Sequence, residues 1–355
     1  MQIELRSVHK RYGDVDVVAD LSLLLPAGQV TALLGPSGCG KTTTLRMIAG
    51  LERCTAGSIR IGDRVVDDAA AGIFVPPEER GLGMVFQSYA LWPHKTVLEN
   101  VAYPLTLRGG KSKAVVVEQA MRALQRVRLH DLAQRAPHQL SGGQQQRVAV
   151  ARALVGDGER APPVLLLDEP LANLDARLRE DMRAELAAIA RTSGATVVAV
   201  THDQQEAFAL ADAVVVLERG RLAQRGSPEE IYLHPRSPFV GSFGGPMAFL
   251  DAVAPDAGGA VDVAGWSMPR ARVSGECSGR VQLGVRPEWM VPGEAGVVVV
   301  VEQRLFLGRE HEVSVVTAVG GIKLTLRVPS TSPAPAVGAR LQLELSRACA
   351  FPPPL

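Results

Sequence analysis

Residues Gly35 to Thr43 read GPSGCGKTT, between Gln29–Leu34 (QVTALL), which alternates and then runs apolar, and Thr42–Gly50 (TTTLRMIAG), which has helical spacing and closes on a glycine. The three pieces predict a buried parallel strand, a tight turn and a helix. The turn fits the pattern G-x-x-x-x-G-K-[ST] through Gly35, Gly40, Lys41 and Thr42. Its glycines let backbone N–H groups turn inward around a phosphate, and the helix N-terminus adds a field that favours an anion. Lys41 is expected to reach the β/γ-phosphates of a nucleotide and Thr42 to ligate Mg²⁺, with Pro36, Ser37, Gly38, Cys39 and Thr43 completing the cradle. A glycine-rich strand-to-helix turn without a ligand is the bland alternative. The lysine, the threonine and both flanking elements weigh against it.

Two further stretches extend the site. Val164–Glu169 (VLLLDE) is four apolar residues followed by two carboxylates, which places Asp168 at the C-terminal tip of a buried strand, where ligands of open parallel sheets gather. Asp168 is expected to hold Mg²⁺ through water, and Glu169 to orient and deprotonate an attacking water. The second glycine-rich loop is Leu140–Arg147 (LSGGQQQR), in which Ser141 is a good helix N-cap ahead of a helix-spaced run. Isolated, SGG is an ordinary turn, and adjacent acids after a strand are a solvated one. Their order on one chain is what makes them informative.

In that order the motifs resemble the ATP-binding subunit of an ABC transporter, over essentially the whole chain. The resemblance implies an α/β fold, a P-loop nucleotide-binding domain over 1–240 with a helical subdomain at about 88–153, followed by a small all-β, OB-like regulatory domain over 241–355. It implies that Ser141, Gly142 and Gly143 bind the γ-phosphate held by a second copy's first loop, so that two ATP molecules are sandwiched in a homodimer. Tyr12 in KRYG matches the aromatic that stacks on adenine, and Gln87 in MVFQSYAL matches the residue linking Mg²⁺ or lytic water to a permease. Asp175 in LANLDA matches the loop that crosses the dimer interface, and His202 in VVAVTHD matches the switch histidine that holds γ-phosphate and water. Glu169 is favoured over His202 as general base because a carboxylate accepts the proton directly.

Composition agrees with a two-domain globular protein: 355 residues, 46% hydrophobic, with 38 basic and 37 acidic residues that nearly cancel. No nucleic-acid-binding basic face follows from that balance. Cys39, Cys54, Cys277 and Cys349 have neither metal-ligand nor disulfide spacing and are read as free thiols. Cys39 either fills a tight turn or offers a thiol whose oxidation blocks ATP. No apolar stretch approaches the ~18 residues that span a bilayer, and MQIELRSVHKRYG lacks a signal-peptide core. Any membrane association is therefore expected to come through partners, and the resemblance implies permease subunits at the cytoplasmic face of the inner membrane and, indirectly, a periplasmic or surface solute-binding protein.

Ser88–Thr96 (SYALWPHKT) either lines a permease groove or, at Trp92, joins the core. Gly156–Pro163 (GDGERAPP) is read as a surface loop, longer than the usual link in the family. Beyond the breakers of Pro235–Pro246, the segments 297–307, 311–319 and 322–328 are β-branched and often alternating, and predict a barrel or sandwich. Gly284–Met290 (GVRPEWM) resembles the hallmark of regulatory barrels on importers, whose role is either dimer-stabilising or solute-binding. FPPPL is read as a frayed tail. Phrasing such as FVPPEERGLGMVFQSYALWPH is most similar to the ferric-iron branch, so Fe³⁺ is the expected cargo, with polyamine, sulfate, thiamine, phosphonate and sugar as alternatives. A soluble, non-transport ABC ATPase is the reading from a different class; the coiled-coil insertion or tandem cassette expected of it is missing.

Overall fold

Four short runs of valine and leucine decide the architecture, because strands buried on both faces need no polar alternation. In the computed structural model, which describes residues 1–156, 162–255, 259–263, 266–275 and 278–353, the chain divides into two units, Met1–Pro228 and Glu229–Leu355.

The first unit begins with β1 (Ile3–Tyr12), β2 (Val15–Leu25), β3 (Val30–Leu34) and α1 (Lys41–Ala49). It continues through β4 (Ala56–Ile61), β5 (Arg64–Asp68), β6 (Ile73–Phe74) and β7 (Gly83–Val85). Helices α2 (Val97–Arg108), α3 (Lys113–Arg126) and α4 (Gly142–Leu154) follow. The remainder is β8 (Val164–Asp168), α5 (Ala176–Thr192), β9 (Thr196–Val200), α6 (Gln204–Leu210), β10 (Ala213–Glu218) and β11 (Arg221–Gly226). One sheet has the order β11-β10-β3-β9-β8-β7, parallel from β10 to β7, with β11 antiparallel at the edge. Every residue of β3, β8 and β9 is buried. The parallel direction puts the C-terminal ends of β3, β7, β8 and β9 on one rim, and each is followed within two residues by an expected site residue.

An antiparallel sheet, β2-β1-β4-β5-β6, shares a core with α1 and the parallel sheet through Leu5, Leu21, Ile48, Ile59, Leu166 and Val200. Helices α2 to α4 enclose a separate core of Val101, Leu105, Ala120, Leu124 and Val148. The start of α2 is fixed by a capping box in which Thr96 and Glu99 satisfy each other's backbone N–H groups. Within the GDGERAPP stretch, 157–161 lie outside the described residues, and Pro163 passes straight into β8.

The second unit takes in most of α7 (Pro228–Leu233), then α8 (Pro238–Phe243) and, among the described residues, ten strands. Its six-stranded sheet is formed by β12 (Ala248–Ala254), β13 (Val261–Val263), β14 (Trp266–Met268), β15 (Val273–Ser274), β16 (Gly279–Val285) and β21 (Ala348–Phe351). A four-stranded antiparallel sheet pairs β17 (Met290–Phe306), β18 (Glu310–Thr317), β19 (Lys323–Pro329) and β20 (Arg340–Leu345). Inward-facing residues of both sheets, Leu250, Leu283, Val299, Val315 and Leu343 among them, form one core. The β-branched segments read from the sequence fall on β17, β18 and β19.

The division at Pro228 comes earlier than the 240/241 boundary expected from the breaker residues. Hydrogen bonds explain the difference. The fully buried Arg286 guanidinium donates twice to the Tyr232 carbonyl, at 2.9 and 3.2 Å, and Arg347 donates to the Leu233 carbonyl at 3.0 Å. Arg286 also stacks on the Tyr232 ring, 3.8 Å from its centroid. Thus the arginine of GVRPEWM ties α7 to the β-rich unit, and burial pushes its pKa down. Cys349 is a buried free thiol, as are Cys39 and Cys54, whereas Cys277 and the end of FPPPL lie outside the described residues.

Candidate nucleotide site

The strand β3 ends directly in the glycine turn, and its glycines are demanded by close approach. A Cβ on Gly35 would lie 2.5 Å from the Leu217 carbonyl oxygen and 2.6 Å from Cys39 Sγ, and one on Gly40, where φ is +96°, would lie 2.6 Å from the Val17 oxygen. The turn therefore wraps tightly against β10 and β2. The first N–H groups of α1 have no intrahelical acceptor and stand at the mouth of the turn. Lys41 is buried, and its ammonium donates across the loop to the carbonyls of Gly35 and Pro36 at 2.8 and 2.9 Å. Cys39 lies inside with Sγ 3.8 Å from that ammonium, and burial raises its thiol pKa more than the lysine lowers it. A thiol kept protonated in this way is a packing group rather than a nucleophile.

From the tip of β8, Asp168 Oδ1 accepts from the Thr42 hydroxyl at 3.4 Å. Burial raises the Asp168 pKa, opposed by the Arg46 cation and the Thr42 bond. Glu169 has a left-handed backbone, φ +44°, and its N–H donates to the Val200 carbonyl of β9 at 3.0 Å. A non-glycine residue in that region costs about 1–3 kcal/mol and persists where the surroundings over-determine it. Here the carboxylate is held on both oxygens: Gln87 Nε2 donates to Oε2 at 3.3 Å, and His202 Nδ1 lies 3.2 Å from Oε1. The ends of β7, β8 and β9 thereby converge on one carboxylate. Thr42, Asp168 and Gln87 supply hydroxyl, carboxylate and amide oxygens of the kind Mg²⁺ takes, and the Thr42–Asp168 pair, whose acid is buried, fits such an ion. Among the described residues no cluster of three His, Cys, Asp or Glu side chains is placed to hold a metal, so the donor set is a mixed one.

Ser141 caps α4 in a capping box with Gln144, its Oγ accepting from the Gln144 N–H at 3.4 Å. Among the described residues no bond joins Ser141, Gly142 or Gly143 to the Gly35–Thr43 turn. Instead the two glycines face α5 and its approach: a Cβ on Gly142 would lie 3.2 Å from Leu174, and one on Gly143 would lie 3.1 Å from Leu178 and 3.2 Å from Met182. Asp175 caps α5, accepting from the Leu178 N–H at 3.0 Å. Tyr12 is 46% exposed at the end of β1, its hydroxyl bonded to Glu52.

Three residues of this region carry no motif signal. Asn173 Nδ2 donates to the Gln87 carbonyl at 2.7 Å. Arg152, on α4, donates to the Tyr89 and Ala90 carbonyls at 2.7 and 2.5 Å. Glu206 is a buried acid behind His202. Beside this loop lies a cleft of about 360 Å³ lined by Phe86, Ala90, Trp92, Tyr103, Leu107 and Arg152. Trp92 packs against Tyr103 with ring centroids 4.3 Å apart and planes tilted by 50°, so it both packs and lines the cleft.

A parallel sheet with a phosphate turn after β3 and an acid pair after β8 defines the class as a P-loop nucleotide-binding protein. Comparison with known proteins narrows this. A family model described as ABC transporter matches residues 18–172, and one described as TOBE domain matches 283–351. The chain is 46% identical to the trehalose/maltose import ATP-binding protein MalK of Thermococcus litoralis, over 92% of each chain. It is 41% identical to the Fe(3+) ions import ATP-binding protein FbpC of Escherichia coli K12, over 97% of this chain and 95% of that one. A dimeric structure of MJ0796, described as a bacterial ABC transporter cassette, matches with TM-score 0.54 and 33% identity, covering 63% of this chain and 98% of that one. The chain belongs to the ABC transporter ATP-binding protein family, with an ABC cassette followed by an OB-like TOBE domain.

Proposed function

We propose that this protein is the ATP-hydrolysing subunit of an ABC import complex. The observation that carries the reading is Glu169, gripped by Gln87 and His202 at the rim where Thr42 meets Asp168. The turn from Gly35 to Thr43 binds the phosphates, Lys41 exchanging its loop carbonyls for phosphate oxygens, while Tyr12 stacks on the adenine. Mg²⁺, held by Thr42, Asp168 and Gln87, would neutralise charge developing on the β/γ oxygens. Glu169 accepts the proton of the attacking water, and Gln87 and His202 fix the direction of its two oxygens. Ser141, Gly142 and Gly143 of a second copy complete the site, with Asp175 lying across the interface. Phosphoryl transfer gains chiefly from positioning and charge stabilisation, so a site lacking the second loop turns over slowly.

Permease subunits are proposed to seat in the cleft beside the Gln87 loop, holding the protein at the cytoplasmic face of the inner membrane, with a solute-binding protein on the far side. Consistent with attachment through partners, no helix among the described residues is long and apolar enough to cross a membrane. Greater identity to the trehalose/maltose protein favours a sugar as cargo; Fe³⁺, the expectation from the sequence, is the second reading, favoured by the fuller coverage of the FbpC match. Glu169→Gln is the direct test. It should bind ATP, accumulate as a closed dimer by size-exclusion chromatography and lose at least ~100-fold in turnover. Undiminished steady-state hydrolysis would remove Glu169 from its role. Uptake of labelled maltose and Fe³⁺ by cells carrying the neighbouring permease separates the two cargoes.

A further inference from the structure

Behind His202 lies an acid that the proposed chemistry leaves unused. Glu206, in the first turn of α6, is 3% exposed. Its Oε2 accepts the Thr201 hydroxyl at 2.7 Å, whereas Oε1 is buried with no hydrogen-bond partner. The Thr201 Oγ1 in turn accepts the Asp203 N–H at 3.0 Å, and Asp203 Oδ1 accepts the Glu206 N–H at 3.0 Å. These three bonds close a ring across the turn from which His202, 60% exposed, faces Glu169.

The charged groups around Glu206 are few. Asp203 and His202 lie on the same turn, and Arg183 approaches from α5. Arg183 is engaged elsewhere, 4.0 Å from Asp203 Oδ2 and 3.2 Å from Gln205 Oε1, and no ion pair joins it to Glu206 among the described residues. The strand β3, packed on α6, reads VTALL and brings no ionisable group. A carboxylate here would be buried with one hydroxyl donor and no cation. Such a group gives up its charge rather than remain unpaired. Burial accordingly pushes the Glu206 carboxyl up to about 7.

We propose that Glu206 is a positioning residue: with its carboxyl uncharged, the ring of Glu206, Thr201 and Asp203 holds the turn that presents His202 to Glu169, and loss of the Glu206 proton loosens that turn. The proposal rests on the reading of Glu169 and His202 as the hydrolytic pair. ATP is gripped by the Gly35–Thr43 turn, on another strand end, so the effect falls on kcat and not on KM.

The test is steady-state ATP hydrolysis by the full-length protein between about pH 6 and about pH 9, comparing the natural protein with Glu206→Gln, which fixes the neutral form. Turnover of the natural protein should fall along an alkaline limb with KM for ATP constant. Glu206→Gln should lose that limb, so that its kcat relative to the natural protein rises about tenfold from pH 7 to pH 8.5. Thr201→Val, which keeps the acid and removes its partner, should lower kcat about tenfold at every pH with KM unchanged. Superimposable alkaline limbs in the natural protein and Glu206→Gln, or a KM that moves with kcat, overturns the proposal; should Glu206→Gln not fold, full turnover by Thr201→Val does so. Glu169→Gln run alongside separates the two failures, because its retained turnover would defeat the hydrolytic reading itself.

Discussion

Replacing Arg152 with methionine should loosen the loop that carries Gln87 while leaving the cores intact. The Arg152 guanidinium, on a residue only 8% exposed, bonds the Ala90 and Tyr89 carbonyls at 2.5 and 2.7 Å and stacks 5.0 Å from the Trp92 ring centroid. Both acceptor residues are non-glycine and left-handed, with φ of +46° and +60°. Such residues cost about 1–3 kcal/mol each and need an external clamp. Methionine keeps most of the apolar stem, so packing changes little. What disappears is two charge-assisted bonds, worth about 1.5–3 kcal/mol each before correction. Two facts reduce the sum. Burial already penalises the guanidinium, whose pKa it pushes down, and Ala90 is exposed, so its carbonyl rehydrates. The Tyr89 carbonyl, on a residue 6% exposed, stays dry. The net local loss is about 2–4 kcal/mol.

Native-state hydrogen exchange reads this directly. The reporters are the Tyr89 amide, bonded to the Phe86 carbonyl at 2.9 Å, and the Trp92 amide, bonded to Asn100 Oδ1 at 2.8 Å. Their exchange should accelerate about 30-fold to about 700-fold in Arg152→Met. Amides of β9, on the far side of β8, should change much less. If Tyr89 and Trp92 accelerate no more than β9, the clamp is not what holds the loop.

Gly35→Ala should weaken ATP binding at least ~100-fold by equilibrium dialysis, because a methyl at 2.5 Å from the Leu217 carbonyl forces the phosphate turn open; near-native affinity would show the turn tolerates a shift. Glu206 makes stability fall with pH, against the usual carboxylate trend. Its folded pKa of about 7 lies above the ordinary 4.5, so between those values the unfolded chain has lost a proton the folded chain keeps. The stabilisation is full below the lower value and gone above the upper, a loss of about 3 kcal/mol. Glu206→Gln should flatten this component in thermal unfolding at about pH 5 and about pH 8. Arg286→Met should destabilise the β-rich unit by about 2–4 kcal/mol, since the Tyr232 carbonyl loses both of its guanidinium bonds; an unchanged urea midpoint by Trp289 fluorescence would contradict it.

The phosphate turn and the VLLLDE strand were legible because their chemistry is written locally. A turn that must approach Leu217 and Val17 has to be glycine, and a strand buried on both faces has to be apolar. The bonds that organise the loop around them were not legible, for a shared physical reason. Arg152 reaches Tyr89 and Asn173 reaches Gln87 through main-chain carbonyls, 63 and 86 residues away, and a carbonyl acceptor imposes no residue type on the partner position. Arg286 conceals the unit boundary in the same way, by bonding the carbonyl of Tyr232. Glu206 was hidden by its surroundings: in THDQQEAF it looks like any polar residue on a short helix, and only burial reveals it.

These side-chain-to-carbonyl bonds link one carboxylate, through Gln87, to two separate loops. Gln87, whose amide holds Glu169, sits on a loop fastened from one side by Arg152 of α4 and from the other by Asn173, two residues before Asp175. The helix α4 starts at the Ser141 cap and carries Arg152 near its other end, so it acts as a rod about 15 Å long between the second glycine loop and the Gln87 loop. Its alanine- and valine-rich face is packed into the helical core, which resists bending. Displacement of Ser141 by a phosphate on a second copy would therefore move Arg152 with it. The left-handed Tyr89–Ala90 pair is the compliant element at the far end, since its conformation depends on those same bonds. On the proposed reading, Glu169 would then be released or aimed according to whether the neighbouring copy is seated, which would make hydrolysis conditional on association without any direct contact from α4 to the carboxylate.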